Sequence, residues 1–252
     1  TNHDIDKVLD GEFQNIIDYI SLLDVVLCKA TIAEKYNYCC PIIDTTEKKA
    51  FFRAKNIRHC LIEHLQTQET YVPNDISLGT TTDGILLYGT NAVGKSSLIR
   101  SIGICVILAQ SGMFVPCSEF IYKPYTSIFT RILGNDDIFK GLSTFVVEMS
   151  ELRTILESAD ENSLILGDEL CKGTETHSAI GIFASSLFQL QKRKSSFIFA
   201  THLHELIEID EISDLKKLAI MHMEVYYDEE TKLLIYNRKL KLGAGQRMYG
   251  LE

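Results

Sequence analysis

The sequence predicts an α/β fold built on a mostly parallel central sheet flanked by helices, and three observations carry that reading. Short apolar runs at Gly84–Tyr88, Ser163–Leu166 and Ser196–Ala200 are bounded by glycine, acidic or hydroxyl residues. Such runs fit strands buried on both faces. Helical patterns lie between them, as crossover connections of a parallel sheet require. Directly after the first run comes Gly89-Thr90-Asn91-Ala92-Val93-Gly94-Lys95-Ser96, a G-x-x-x-x-G-K-[ST] pattern that belongs between a strand and a helix.

The elements follow in order. Ile5, Val8, Leu9, Phe13, Ile16, Ile20, Leu23, Leu27 and Ala30 recur three or four positions apart with acids between them, which predicts a helix over residues 5–36. Pro41 is expected to end it. Charges at Glu47, Lys48 and Lys49 mark a boundary or an exposed loop, dividing a helical segment, 1–46, from a main domain, 47–252. A second helix is expected over Leu98–Ala109, behind the glycine-rich pattern. Near the end, Met221–Tyr227 and Lys232–Leu242 flank Asp228-Glu229-Glu230-Thr231 and read as a hairpin.

Bulk composition narrows the function. A chain of 252 residues buries a sizeable core without disulfides, and 46% hydrophobic with 23% charged residues is ordinary for a globular protein. A net charge of −9 gives no overall positive field for DNA or an anionic membrane. Any grip on nucleic acid must then be local or lie outside this chain. The seven cysteines include no C-x-x-C pair and read as reduced thiols of an intracellular protein. The longest apolar stretch, Ile102–Ala109, is too short to span a bilayer, so no membrane partner is expected. No signal peptide is evident, and a first residue of Thr1 leads us to expect a fragment.

The chemistry starts at the glycine-rich pattern. Its backbone N–H groups can curl around a phosphate, Lys95 can reach β- and γ-oxygens, and Ser96 can hold Mg²⁺. The following helix aims its positive end at the anion. Gly89, Thr90, Asn91, Ala92, Val93, Gly94, Lys95, Ser96 and Ser97 are therefore the candidate nucleotide-binding residues; a glycine turn with an exposed lysine is the bland alternative. At the second run, Ser163-Leu164-Ile165-Leu166-Gly167-Asp168-Glu169 ends in two carboxylates. Asp168 is placed to orient Mg²⁺ through water, and Glu169 to act as base for an attacking water. Paired acids at a strand end can equally be a solvated loop start. The third run leads into Thr201-His202, where His202 can sense a γ-phosphate or simply be a hydrogen-bonded histidine. His3, His59, His64, His177, His204 and His222 read as ordinary.

These motifs, in order and spacing, resemble the MutS ATPase domain of DNA mismatch repair. The resemblance runs over roughly residues 15–252. It includes Arg58-His59-Cys60-Leu61-Ile62-Glu63, the phosphate pattern with Asn91, Ile128-Phe129-Thr130-Arg131 with Gly134-Asn135-Asp136-Asp137, and Gly141-Leu142-Ser143-Thr144-Phe145-Val146-Val147-Glu148-Met149. Asp168-Glu169 with Gly173-Thr174, Ala200-Thr201-His202, Gly243-Ala244-Gly245-Gln246 and Tyr249-Gly250-Leu251 complete it.

The resemblance implies a P-loop NTPase of ABC-like type that binds and hydrolyses ATP with Mg²⁺. Two such domains meet head to tail, each nucleotide lying between one phosphate loop and the partner's signature serine, here Ser143. It implies phosphate and metal roles for Asn91, Lys95, Ser96 and Asp168, catalysis by Glu169, a switch at His202, and Tyr71 against adenine. The partners implied are a second MutS-like subunit, DNA through domains outside this chain, and downstream repair factors. Residues 1–46 would end the family's helical core and lever, and the dimer-locking helix-turn-helix would fall after the end of the chain. Ala92-Val93 in place of methionine-glycine, Cys60 in place of proline, and Leu170-Cys171-Lys172 mark a divergent branch, viral or organellar. An ABC-type ATPase of recombination or chromosome structure, and a nucleotide-gated assembly module with little turnover, share parts of this pattern.

Overall fold

Two sheets carry the fold, and their strands come from widely separated parts of the chain. The computed structural model describes residues 2–65, 70–131, 144–170, 175–229 and 232–245. The larger sheet has six strands in the order β10-β9-β4-β8-β7-β6. These are β4 (Gly84–Tyr88), β6 (Ser127–Arg131), β7 (Ser163–Asp168), β8 (Ser196–Ala200), β9 (Leu218–Asp228) and β10 (Leu233–Leu242). All neighbours pair in parallel except β9 and β10, which form the expected antiparallel hairpin. The hairpin's first strand starts before Met221 and joins the main sheet beside β4, with Gly84 opposite Leu218.

The three apolar runs occupy the middle of this sheet, and every residue of β4, β7 and β8 is buried. Their side chains alternate between two cores, as the period of two in a strand demands. Ile85, Leu87, Leu164, Leu166, Ile198 and Ala200 pack on one side with α3 (Lys95–Gln110). Leu86, Tyr88, Ile165, Phe197 and Phe199 pack on the other with α5 (Thr176–Lys192) and the end of α4 (Thr144–Ser158). Two glycines make room for aromatic rings on that second side. A Cβ on Gly84 would lie 2.0 Å from the Phe197 ring, and one on Gly167 would lie 2.1 Å from the Phe199 ring.

A second sheet, ordered β1-β5-β2-β3, was not apparent in the sequence. It consists of β1 (Ile42–Ile43), β2 (Phe51–Ile57), β3 (Asn74–Leu78) and β5 (Glu119–Lys123). Strand β2 hides from pattern reading because Asn56 adopts a left-handed φ of 51° where the β2–β3 register shifts between Ala54 and Ile57. That bulge breaks the alternation of buried and exposed residues. Phe52 and Phe120 stack at 5.9 Å beneath the sheet.

Helix α1 (Asn2–Tyr36) matches the predicted span, but its stop signal is Asn37, not Pro41. Asn37 takes φ 53°, and the Tyr38 N–H bonds the Ala33 carbonyl at 3.0 Å, a glycine-type helix ending carried by asparagine. Phe13, Ile16, Ile20, Leu23 and Leu27, whose spacing predicted the helix, are exposed. Grip on the rest of the chain comes from polar groups toward the C-terminal end. Arg58 donates to the Tyr36 and Asn37 carbonyls at 2.9 and 3.2 Å and pairs with Glu63 at 2.7 Å, and Lys29 donates to the Gly112 carbonyl at 3.0 Å.

The Glu47–Lys49 stretch is only partly the exposed loop expected. Glu47 and Lys48 are exposed, whereas the Lys49 ammonium reaches buried Asp83 at 2.6 Å and the Lys194 carbonyl at 2.8 Å. Burial holds the Lys49 ammonium below the usual lysine range, opposed by the Asp83 carboxylate. On either side of this stretch, Ile42 and Ile43 pair with β5 and Phe51–Lys55 with its other edge.

His59 caps the short helix α2 (Ile62–Leu65): its buried Nδ1 accepts from the Leu61 and Ile62 N–H groups, both at 3.3 Å. Burial, then the nearby Arg100, depress its pKa below the ordinary histidine value. A depressed folded value means the unfolded chain binds the proton more readily, so stability from His59 is full above the ordinary value and drains away on acidification. We predict that the urea midpoint falls between pH 7.5 and 5.5, and that His59→Asn, which keeps an acceptor without a titrating ring, flattens that slope. An unchanged slope in the variant would refute the cap's role.

Candidate functional site

The candidate site is assembled where β4, β7 and β8 end, the edge at which open parallel sheets place ligands. Strand β4 runs into Gly89, and α3 starts six residues later at Lys95. Left-handed backbone falls on Ala92 (φ 59°) and Gly94 (φ 109°). Val93 sits between them with its side chain fully buried in the α3 core, so a β-branched residue is accommodated by facing inward. Asn91 and Ala92 are exposed at the crest, with Ser96 and Ser97 half-buried in the first turn of α3. The Lys95 ammonium folds back across the turn onto the Gly89 and Thr90 carbonyls at 2.6 and 2.9 Å. The Thr90 Oγ1 is buried and has no hydrogen-bond partner among the described residues.

Asp168 is the last residue of β7 and buried, opposite Ala200 in β8. Glu169 leaves the strand with φ 52°, its N–H on the Ala200 carbonyl at 3.0 Å. That turn directs its carboxylate across the strand ends to His202, whose Nε2 lies 2.5 Å from Oε1. Two residues named separately in the sequence, 33 positions apart, thus form one contact. Both side chains are largely buried, Glu169 at 12% exposure and His202 at 29%.

The donor set suits a hard cation. Hydroxyl and carboxylate oxygens (Ser96, Asp168) are the ligand types that Mg²⁺ prefers, with water and phosphate oxygens completing its shell. Among the described residues no cluster of three or more His, Cys, Asp or Glu is placed to hold a metal ion.

Histidines read as ordinary prove to border the site. Strand pairing sets His222 opposite Tyr88, one residue before the turn. A cleft of about 300 Å³ is lined by Gly89, Thr90, His204, His222, Glu224 and Gly245, among others. The His222 Nδ1 donates to the Gly243 carbonyl at 2.9 Å, fixing the tautomer that leaves Nε2 an acceptor. The signal that would have found it is register: β9 had to be paired with β4 first. A larger groove of about 510 Å³, between α4 and α5, shares no residue with these strand ends.

Tyr71 lies against α3. The Ser101 hydroxyl gives its proton to the Ser97 carbonyl at 2.8 Å, so the Tyr71 phenol donates to Ser101 Oγ at 3.3 Å, and burial pushes that phenol above its ordinary pKa. The segment behind it is pinned to a bulge in β10: Asn74 bonds the Arg238 carbonyl and the Leu240 N–H, and Lys239 the Pro73 carbonyl. Ser143 lies outside the described residues, as do Gly134–Asp137, Gly141, Leu142, Gly173, Thr174, Gln246 and Tyr249–Leu251. The described cysteines are free thiols; Cys105 and Cys117 touch at 3.9 Å in the core. No described helix is long and apolar enough to cross a membrane.

The sequence profile of MutS domain V matches residues 85–252. Over 94% of its length the chain is 40% identical to a DNA mismatch repair protein mutS homolog of Acanthamoeba polyphaga mimivirus, covering 24% of that protein. It is 43% identical over 95% of its length to the mitochondrial DNA mismatch repair protein mutS homolog of Sarcophyton glaucum, covering 24% of it. With the DNA mismatch repair protein MutS of Prochlorococcus marinus (strain NATL2A) the identity is 38% over 98% of this chain and 27% of the relative. The chain spans about a quarter of the length of these curated relatives. A profile match across most of the chain, together with this sheet and its strand-end site, places it in one family: the chain belongs to MutS domain V.

Proposed function

We propose that this chain is the ATP-binding and ATP-hydrolysing domain of an intracellular MutS-like mismatch repair protein. The observation that carries the reading is the convergence, at adjacent strand ends, of the Gly89–Ser96 turn, buried Asp168 and the Glu169–His202 contact. Backbone N–H groups from Gly89 to Ser97 receive the phosphates. Lys95 exchanges its carbonyl partners, Gly89 and Thr90, for phosphate oxygens, a swap of neutral for charge-assisted bonds. Ser96 and Asp168 hold Mg²⁺, which when bound neutralises charge on the phosphate oxygens. Glu169 takes the proton of the attacking water, and His202 holds that carboxylate in place while facing the γ-phosphate. Asn91 stands at the exposed crest, toward a second subunit. Tyr71, beside α3, stacks against the adenine.

In this reading each site is completed by Ser143 of a second MutS-like subunit, so ATP binding and turnover open and close a homodimer. That cycle drives the clamp changes on mismatched DNA, which is held by parts of the protein outside this chain, where downstream repair factors are also recruited. The net negative charge of the chain accords with that division of labour. The direct test is binding of Mg·ATP by titration calorimetry. Lys95→Ala should weaken it about ten- to a hundredfold, the worth of one charge-assisted bond, with the melting curve preserved. Equal affinity in the variant and the parent chain would overturn the assignment.

A further inference from the structure

The loop that carries His202 is held by a residue outside every nucleotide-binding pattern in the sequence. Tyr88, the last residue of β4, is fully buried. Its hydroxyl donates to the Leu203 carbonyl at 3.2 Å, and its ring lies 4.8 Å from that of His204 at a 36° tilt. Leu203 has φ −78° and ψ 85°, and the His204 N–H bonds the His202 carbonyl at 2.9 Å, which makes Leu203 the centre of an inverse γ-turn. The peptide joining Leu203 to His204 is therefore bolted on both sides. Its N–H is fixed to the carbonyl of His202 itself, and its C=O to Tyr88. Upstream, the Thr201 N–H is held by the Leu87 carbonyl at 3.1 Å, and Thr201 Oγ1 accepts from the Leu203 N–H at 3.1 Å.

We infer that Tyr88 is a positioning residue for hydrolysis: through the Leu203 carbonyl it fixes the turn that sets the His202 imidazole against Glu169. The inference rests on the hydrolytic reading of that dyad. Phenylalanine at position 88 would keep the ring and its packing and remove the hydroxyl that bolts the Leu203 carbonyl. The Leu203–His204 peptide could then rotate, taking the His202 carbonyl and the imidazole with it. Misplacement of a catalytic group by about 1 Å costs up to about a hundredfold, so a partial loosening should cost about tenfold.

The test is single-turnover hydrolysis of ATP by Tyr88→Phe, His202→Ala and the double variant, each with Mg·ATP affinity and a melting curve measured alongside. Tyr88→Phe is expected to slow hydrolysis about tenfold at unchanged affinity and to alter the pH–rate profile. The double variant should be no slower than His202→Ala alone, because Tyr88 acts only through that histidine. Wild-type rates in Tyr88→Phe, or losses that multiply in the double variant, would overturn the inference. Normal turnover in Glu169→Gln would instead overturn the parent reading, which keeps the two failures distinguishable.

Discussion

Replacing Glu169 with glutamine is expected to slow ATP turnover by about a hundredfold or more while leaving Mg·ATP binding intact, the usual worth of a general base. Glutamine keeps the shape of the side chain and an oxygen for His202, but it cannot take a proton from water. Its position supports so large an effect: the strand-end turn at φ 52° holds the carboxylate over the site, and the contact to His202 at 2.5 Å restricts where it can point. Because binding survives while hydrolysis does not, nucleotide should accumulate between paired subunits. Light scattering of Glu169→Gln with saturating Mg·ATP should show a dimer that the parent chain populates only transiently. A monomer throughout, or turnover near the parent rate, would contradict the composite site.

The largest loss of stability is expected from Gly167→Ala. A single methyl there would sit 2.1 Å from Cδ1 and 2.3 Å from Cε1 of Phe199, a fully buried ring on the neighbouring strand. The ring cannot retreat easily, since Phe183 meets it edge-on at 5.4 Å and Phe197 lies 5.8 Å away. Overpacking of this kind costs about 1–3 kcal/mol and sometimes more, and an inflexible aromatic neighbour argues for the upper end. Shortening the obstacle should recover part of the loss. In urea unfolding, Gly167→Ala combined with Phe199→Leu should be at least about 1 kcal/mol more stable than the two separate losses predict. Strict additivity would show that the clash is relieved in some other way. Asp168 follows Gly167 directly, so the same backbone shift should also weaken Mg²⁺-dependent nucleotide binding.

Much of the fold was legible because its central strands are short and apolar with clear boundaries. Those runs became β4, β7 and β8, and the phosphate pattern lies between β4 and α3 as the strand–turn–helix reading required. What escaped was long-range. No local pattern reveals that β9 pairs with β4, so His222 stayed out of the candidate site until the register brought it beside Tyr88. The Tyr88 hydroxyl finds its acceptor 115 residues on, and in sequence Tyr88 is merely the end of an apolar run. The small sheet was missed because the Asn56 bulge spoils its alternation, and the helix stop was misassigned because proline is a louder signal than a left-handed asparagine. Glu169 and His202 were each named correctly as strand-end residues, but their contact depends on β7 lying next to β8.

The grip of Lys29 on Gly112 gives α3 a mechanical meaning. With 16 residues, that helix is a rod about 24 Å long, with the glycine-rich turn at one end and the carbonyl held by α1 just past the other. A tilt of about 5° at the turn would carry the far end through about 2 Å. Helix α1, with 35 residues, is about 52 Å long, and the same angle passed to it would sweep its opposite end through more than about 4 Å. Lys29 is the link between the two rods, while Arg58, from the segment after β2, holds the C-terminal end of α1; a tilt that α1 followed through the Lys29 contact would become a movement the width of a side chain at its far end.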